Sequence, residues 1–222
     1  MAAPAFVLDV SAASGASCGQ RAVTRLADIE AASDEHRKLL CYSAAVASLR
    51  KFFGKYPDMG EVARMATVNS VLKSAFPHMW FVGFYTVEPS SSGGQELVVG
   101  AYQGDVLACG RIAHGRGVCG TAWAKGATQN VPDVSAIDNY VACDAETQSE
   151  IVVPVFGGAE DSRRVTSVLD IDSEHKAAFS AVDERCLEAI VAEFIAEPAT
   201  VPVAELGTPG ALAWAEAQGL LA

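Results

Sequence analysis

Positive charge is scarce in this sequence: 16 Lys and Arg stand against 27 Asp and Glu, for a formal net charge of −11. Polyanions are held by clustered Lys and Arg, so neither nucleic acid nor an acidic membrane surface is an expected partner. Long apolar runs are missing as well. A helix that spans a bilayer needs about 20 consecutive apolar residues, and every apolar stretch here is broken earlier by charge or glycine. The first residues, MAAPAFVLDVSAASGASCGQ, place no basic segment ahead of an apolar core and meet Asp9 early, so no cleaved secretory signal is expected. Closely spaced cysteine pairs of the C-x₂₋₄-C kind are also absent, which argues against a zinc site and sets the metal expectation at none. No internal repeat is present. A soluble, cytoplasmic protein is the expectation.

What the chain does have is a half-hydrophobic composition and six cysteines: Cys18, Cys41, Cys109, Cys119, Cys143 and Cys186. A chain of 222 residues can bury one sizeable core and does not depend on a disulfide framework. In the expected reducing compartment these cysteines are read as thiols. Crowding of Cys109, Cys119 and Cys143 into one segment then points to redox chemistry.

Organisation along the chain supports one domain with tails: an N-terminal extension over 1–32, a domain over 33–197 and a C-terminal extension over 198–222. Ser33 can cap a helix whose stripe is Leu39, Tyr42, Val46, Leu49 and Phe53, ended by Gly54 and Pro57. Asp58 with Glu61 suggests a second helix start, and Val62, Met65, Asn69, Leu72 and Phe76 continue its inward face. The period then changes. WFVGFYTV and QELVVGAYQ, joined by PSSSGG, read as a hairpin, and SEIVVPVF and RVTSVLDID read as further strands. GVCGTAWAKGA fits a short helix, and the following TQNVPDVSAIDNYVACDAETQ reads mainly as irregular loop. Ser180 and Asp183 start a last helix with Leu187, Ile190, Val191 and Phe194 on one stripe. The fold class is therefore α/β in the α+β sense, an antiparallel sheet with flanking helices mostly on one side.

Cys109, Cys119 and Cys143 are placed by this reading in loops or at element ends, where a thiolate meets solvent. A free Cys is also commonly a small buried hydrophobe, the reading that suits Cys41 and Cys186. Carboxylates sharpen the case for chemistry. Asp170 and Asp172 alternate in LDID and so share a sheet face, and Glu150 opens the neighbouring strand. If the three converge, burial and mutual repulsion raise at least one pKa and keep a protonated acid near neutrality. A thiolate that displaces an oxygen leaving group needs that proton on the oxygen. Without the cysteines the DxD pair reads as a solvated strand end. GRGVCG also fits G-x-G-x-x-G, with Asp133 where a ribose-binding acid is sought, but its surroundings are hairpin-like and not βαβ. The milder reading is that N–H groups of Gly117 and Val118 at a helix start hold a small anion, such as an amino-acid carboxylate. No local signature pairs a nucleophile with His36, His78, His114 or His175, so a Cys–His hydrolase is disfavoured.

Taken together, WFVGFYTV, AYQGDVLACGRI, GRGVCGTA, VPDV, VACDAETQSEIVVP and VLDIDS resemble the free methionine-R-sulfoxide reductase family, a catalytic branch of the GAF fold, over residues 36–197. The resemblance implies a GAF-type domain in which Cys143 attacks the sulfur of free methionine sulfoxide and becomes a sulfenic acid, Cys109 resolves it as a disulfide, and a thioredoxin-like protein reduces the bridge. It implies an auxiliary or pocket role for Cys119, an acidic pocket of Glu150, Asp170 and Asp172, and a pocket ring at Tyr85. It further implies a homodimer, with no cofactor beyond the cysteines. Two positions depart from the family pattern: Phe81 stands where a Trp is usual, with Trp80 before it, and Tyr140 stands where a His is common. The competing expectations are a GAF ligand-binding or redox-sensing module without turnover, and a nicotinamide-dependent dehydrogenase built on GRGVCG.

Overall fold

The computed structural model describes residues 34–138, 140–141, 144–158, 163–196, 205–208 and 210–221. Ser33, Cys18, Cys143 and the extension over 1–32 lie outside the described residues.

Helix α1 (Asp34–Lys55) buries Leu39, Tyr42, Ala45, Val46, Leu49 and Phe53, the expected stripe, and carries acids in its first turn and Lys55 in its last, which suits the helix dipole. Helix α2 (Glu61–Ala75) corrects two expectations. Its N-cap is Gly60 and not Asp58, with no side-chain cap. Val62 is 71% exposed because the first turn is not covered by a neighbouring element, and Val68 joins Met65, Asn69 and Leu72 on the inward face instead. Asn69 is tolerated there because its side-chain N–H donates to Ala101 O at 2.7 Å.

Six strands follow: β1 (Phe81–Pro89), β2 (Gln95–Gln103), β3 (Arg111–Ala113), β4 (Gln129–Val131), β5 (Ser149–Gly157) and β6 (Arg164–Ser173). They form one sheet in the order β3-β2-β1-β6-β5-β4, with every neighbouring pair antiparallel. The segment expected to be irregular thus contains strand β4 and a 3-10 turn at Val134–Ala136. Three residues on an edge are too few to show a period-two pattern.

Helix α3 (Gly117–Lys125) and helix α4 (Ala181–Phe194) cover opposite faces. Toward α1, α2 and α4 the sheet presents Val82, Phe84, Ile151, Val153, Leu169 and Ile171. Toward α3 it presents Phe81, Tyr85, Val152 and Val168, packed against Val118, Cys119 and Ala122. Cover on both faces leaves β5 and β6 buried along almost their whole length, and suits the apolar run over 151–156 in β5. The capping box of α4 is formed: the Ser180 N–H donates to Asp183 Oδ2 at 2.7 Å. Helix α5 (Ala211–Ala217) and Leu206 pack on α1, where Arg50 donates to Leu206 O and Gly207 N donates to Ser43 Oγ. No helix among the described residues is long and apolar enough to cross a membrane.

Candidate active site

Strand register builds the site. Glu150 stands opposite Asp172 across the β5–β6 pair, while Phe81 and Gly83 of β1 stand opposite Asp172 and Asp170 on the other side. Alternation along β6 sends Leu169 and Ile171 into the helical core, so Asp170 and Asp172 face α3. All three carboxylates are withdrawn from water, with 5%, 5% and 8% exposure for Glu150, Asp170 and Asp172.

Helix α3 brings Cys119 onto them. Its thiol donates toward Glu150 Oε1 at 3.9 Å, and the Cys119 sulfur and one oxygen each of Glu150 and Asp170 lie within 4.8 Å of one another. The glycines of GRGVCG make this approach possible. Gly117 has φ +61°, and a Cβ at Gly120 would come within 2.5 Å of Ala113 O. Gly115 N–H donates to Gly120 O, and the preceding β3 is a three-residue antiparallel edge strand. The motif closes a turn against the sheet and lacks the βαβ setting of a dinucleotide site.

Burial dominates the electrostatics. It pushes the Glu150 carboxyl well above its ordinary range, with the charges of Asp170 and Asp172 adding to the effect. It raises Asp170 to about 7 against the lowering effect of hydrogen bonds from Cys119 and Glu150. Asp172 is also pushed well up, by burial first and then by Asp170 and Asp144. The cluster therefore holds protons at neutral pH. Cys119 corrects an expectation: it is not a solvent-meeting thiolate but a thiol 3% exposed inside α3, held protonated by burial and by the adjoining carboxylates.

Cys109 corrects another expectation, since it is disulfide-bonded and not a free thiol. Among the described residues Cys41, Cys119 and Cys186 are free, so none of them is its partner. Two thiols that the fold brings within bonding reach can close into a bridge, so the reading of all six cysteines as thiols does not hold for Cys109. Cys109 is half-buried against the cluster that contains Cys119, Phe81 and Tyr85. Cys143 lies outside the described residues.

Tyr85 is fully buried on the acid-bearing side of the sheet, and burial, then Asp170, raises its phenol. Phe81 is 2% exposed on that same side, with its ring 5.4 Å from that of Tyr102. Trp80 is half-buried against this cluster, and its indole N–H has no hydrogen-bond partner. The acidic cavity is about 10 Å³ and is lined by Gly117, Val118, Arg116, Tyr140 and Val141 besides the acids and Cys119. Larger hollows of about 210 and 450 Å³ open between α4 and β5 and beside the start of α1, away from the trio. Sequence reasoning missed Arg116 as a wall residue. The available signal was a cation inside a glycine turn at a helix start, the place where an anion is held.

No family profile matches the chain. Among curated proteins, the free methionine-R-sulfoxide reductase of Escherichia coli (strain K12) is 38% identical over 132 residues, which is 60% of this chain and 74% of that protein. Among solved structures, the free methionine-R-sulfoxide reductase of Neisseria meningitidis in complex with its substrate is 41% identical, with a TM-score of 0.61, covering 72% of this chain and 87% of that one. A structure described as the GAF domain is 28% identical, with a TM-score of 0.63, over 82% of this chain and all of that one at 100%.

Proposed function

The chain belongs to the free methionine-R-sulfoxide reductase family, and from that premise we propose how its residues perform the reduction. It is an oxidoreductase acting on free methionine R-sulfoxide, on a GAF fold. The observation that carries the mechanism is the buried, proton-holding trio Glu150, Asp170 and Asp172 on the side of the sheet against which the disulfide-bonded Cys109 is packed.

In this mechanism Cys143 is the nucleophile. Its thiolate attacks the sulfoxide sulfur while the trio delivers a proton to the oxygen; the S–O bond breaks, the hydroxyl passes to the Cys143 sulfur as the new S–S bond breaks, methionine leaves and Cys143 is left as a sulfenic acid. The Cys109 thiol then attacks that sulfur, releasing water and closing a disulfide. An external dithiol of the thioredoxin kind attacks the bridge, takes it over as its own disulfide and restores two thiols. Leu107, 86% exposed two residues before Cys109, offers that reductant an apolar foothold. No cofactor enters these steps.

A zwitterion suits the site. The carboxylate fits the N–H groups of Gly117 and Val118 at the start of α3 with Arg116 beside them, an ionised member of the trio holds the ammonium group, and Phe81 and Tyr85 wall the methylthio end. Cys119 serves in the pocket as a proton-holding neighbour of Glu150, and it is not the nucleophile. A cavity of about 10 Å³ is too small for an amino acid, so entry displaces Tyr140 and Val141. We further infer a cytoplasmic homodimer.

The test is release of methionine from free methionine R-sulfoxide with dithiothreitol as reductant. The intact protein is expected to turn over the R epimer and not the S epimer, and Cys143→Ser to be inactive. An active Cys143→Ser removes the assigned nucleophile, and an inactive, fully reduced intact protein favours a sensing module.

A further inference from the structure

Cys119, Glu150 and Asp170 form, we propose, a binding site for one thiophilic divalent cation of the zinc class, which blocks the acidic cavity and is not a cofactor. The donor atoms, one sulfur and two carboxylate oxygens, lie within 4.8 Å of one another and all three residues are buried. An ion bound at about 2.3 Å from sulfur and 2.0–2.2 Å from oxygen holds its donors roughly 3.5 Å apart. Contraction by about 1 Å, within reach of side-chain rotation, therefore closes the set.

A second feature points to an absent ligand. Asp170 is 5% exposed, yet its Oδ1 has no hydrogen-bond partner, although a buried carboxylate oxygen normally has one. No ion pair among the described residues joins Lys, Arg or His to Glu150, Asp170 or Asp172. The cavity of about 10 Å³ is the size of a single water or bare ion.

Donor chemistry selects the ion. Calcium and magnesium prefer six or more oxygens, whereas one thiolate with two carboxylates suits zinc or cadmium, leaving a fourth position for water or for Asp172, which faces Glu150 in register. Binding exchanges the Cys119 proton for the metal, S–H becoming S–M, and displaces as well any proton that Glu150 and Asp170 carry, each released as H⁺, so affinity rises with pH. On the reductase reading, the bound ion also occupies the proton donors and turnover falls. The site itself rests on geometry alone.

The test is a cadmium titration of the oxidised full chain, in which the Cys109 bridge is closed, read by the ultraviolet thiolate-to-cadmium charge-transfer band. One equivalent is expected. The band is expected to vanish in Cys119→Ser, to persist in Cys18→Ala/Cys41→Ala, and to require about 10- to 100-fold more cadmium in Asp170→Asn. Absence of the band, its survival in Cys119→Ser, or its loss in Cys18→Ala/Cys41→Ala overturns the proposal. Should Cys119→Ser fail to fold by circular dichroism, Asp170→Asn decides, and unchanged affinity there overturns it. The readout involves no turnover, so its failure is separate from failure of the reductase reading.

Discussion

Asp183 and Asp170 are both removed from water on one scaffold, and they differ in everything around them. Asp183, 0% exposed at the start of α4, accepts from Lys38 Nζ at 2.5 Å, from Tyr42 Oη at 2.9 Å and from the Ser180 N–H. Asp170, on the face of the sheet that packs under α3, has two more carboxyls and a thiol as neighbours and no ion pair among the described residues. A buried carboxylate held by three donors, one of them a lysine, fixes the junction of α1 and α4. A buried carboxyl without them takes up a proton instead, which is useless for holding helices together but is what sulfoxide reduction requires.

Substitutions can sharpen that contrast. The largest effect is expected from Glu150→Gln, which removes an exchangeable proton but little volume: methionine formation should fall about 10²- to 10⁴-fold, with far-ultraviolet circular dichroism unchanged. Lys38→Met breaks the buried ion pair with Asp183 and should cost about 3–5 kcal/mol in urea unfolding, while the rate per folded molecule stays unchanged. Asp170→Asn should do the reverse and stabilise. The folded pKa of Asp170 is raised to about 7 from an ordinary 3.8, so its stabilising protonation is complete below about pH 4 and is lost as pH rises through about 7. The variant should therefore gain on the order of 1–3 kcal/mol over the native protein at pH 8 and little at pH 4. The smallest effect is expected at Ser180→Ala, where losing half of the capping box should cost about 1 kcal/mol in the same unfolding assay.

Much of this contrast is written locally in the sequence. The alternation of Asp170 and Asp172 in LDID is a period-two signal and directly fixes a shared face, and the stripe from Leu39 to Phe53 fixes the burial of α1. Ser180 and Asp183 are a capping pair visible from spacing, and the capping box forms. What the spacing does not reveal is depth. Cys119 reads as solvent-meeting because GRGVCG stands at a helix start, and the approach of Gly120 to β3 carries the thiol against the sheet. Lys38 and Asp183 are 145 residues apart, so no pattern along the chain announces their pairing. Asp58 and Val62 mislead for the opposite reason: the spacing suggests a cap and an inward position, but Gly60 begins the helix without a side-chain cap and the first turn is uncovered.

Proton donation by the trio is tested most directly by the pH dependence of methionine release in a single turnover by pre-reduced protein, intact and Glu150→Gln, from about pH 6 to 9. The intact protein should slow as pH rises above about 7, where Asp170 gives up its proton and the trio ceases to be a full acid, and Glu150→Gln should be slow throughout with a flatter profile. An intact rate that is level or rises across that range, matched by an equally fast Glu150→Gln, would contradict the claim that these buried carboxyls supply the proton.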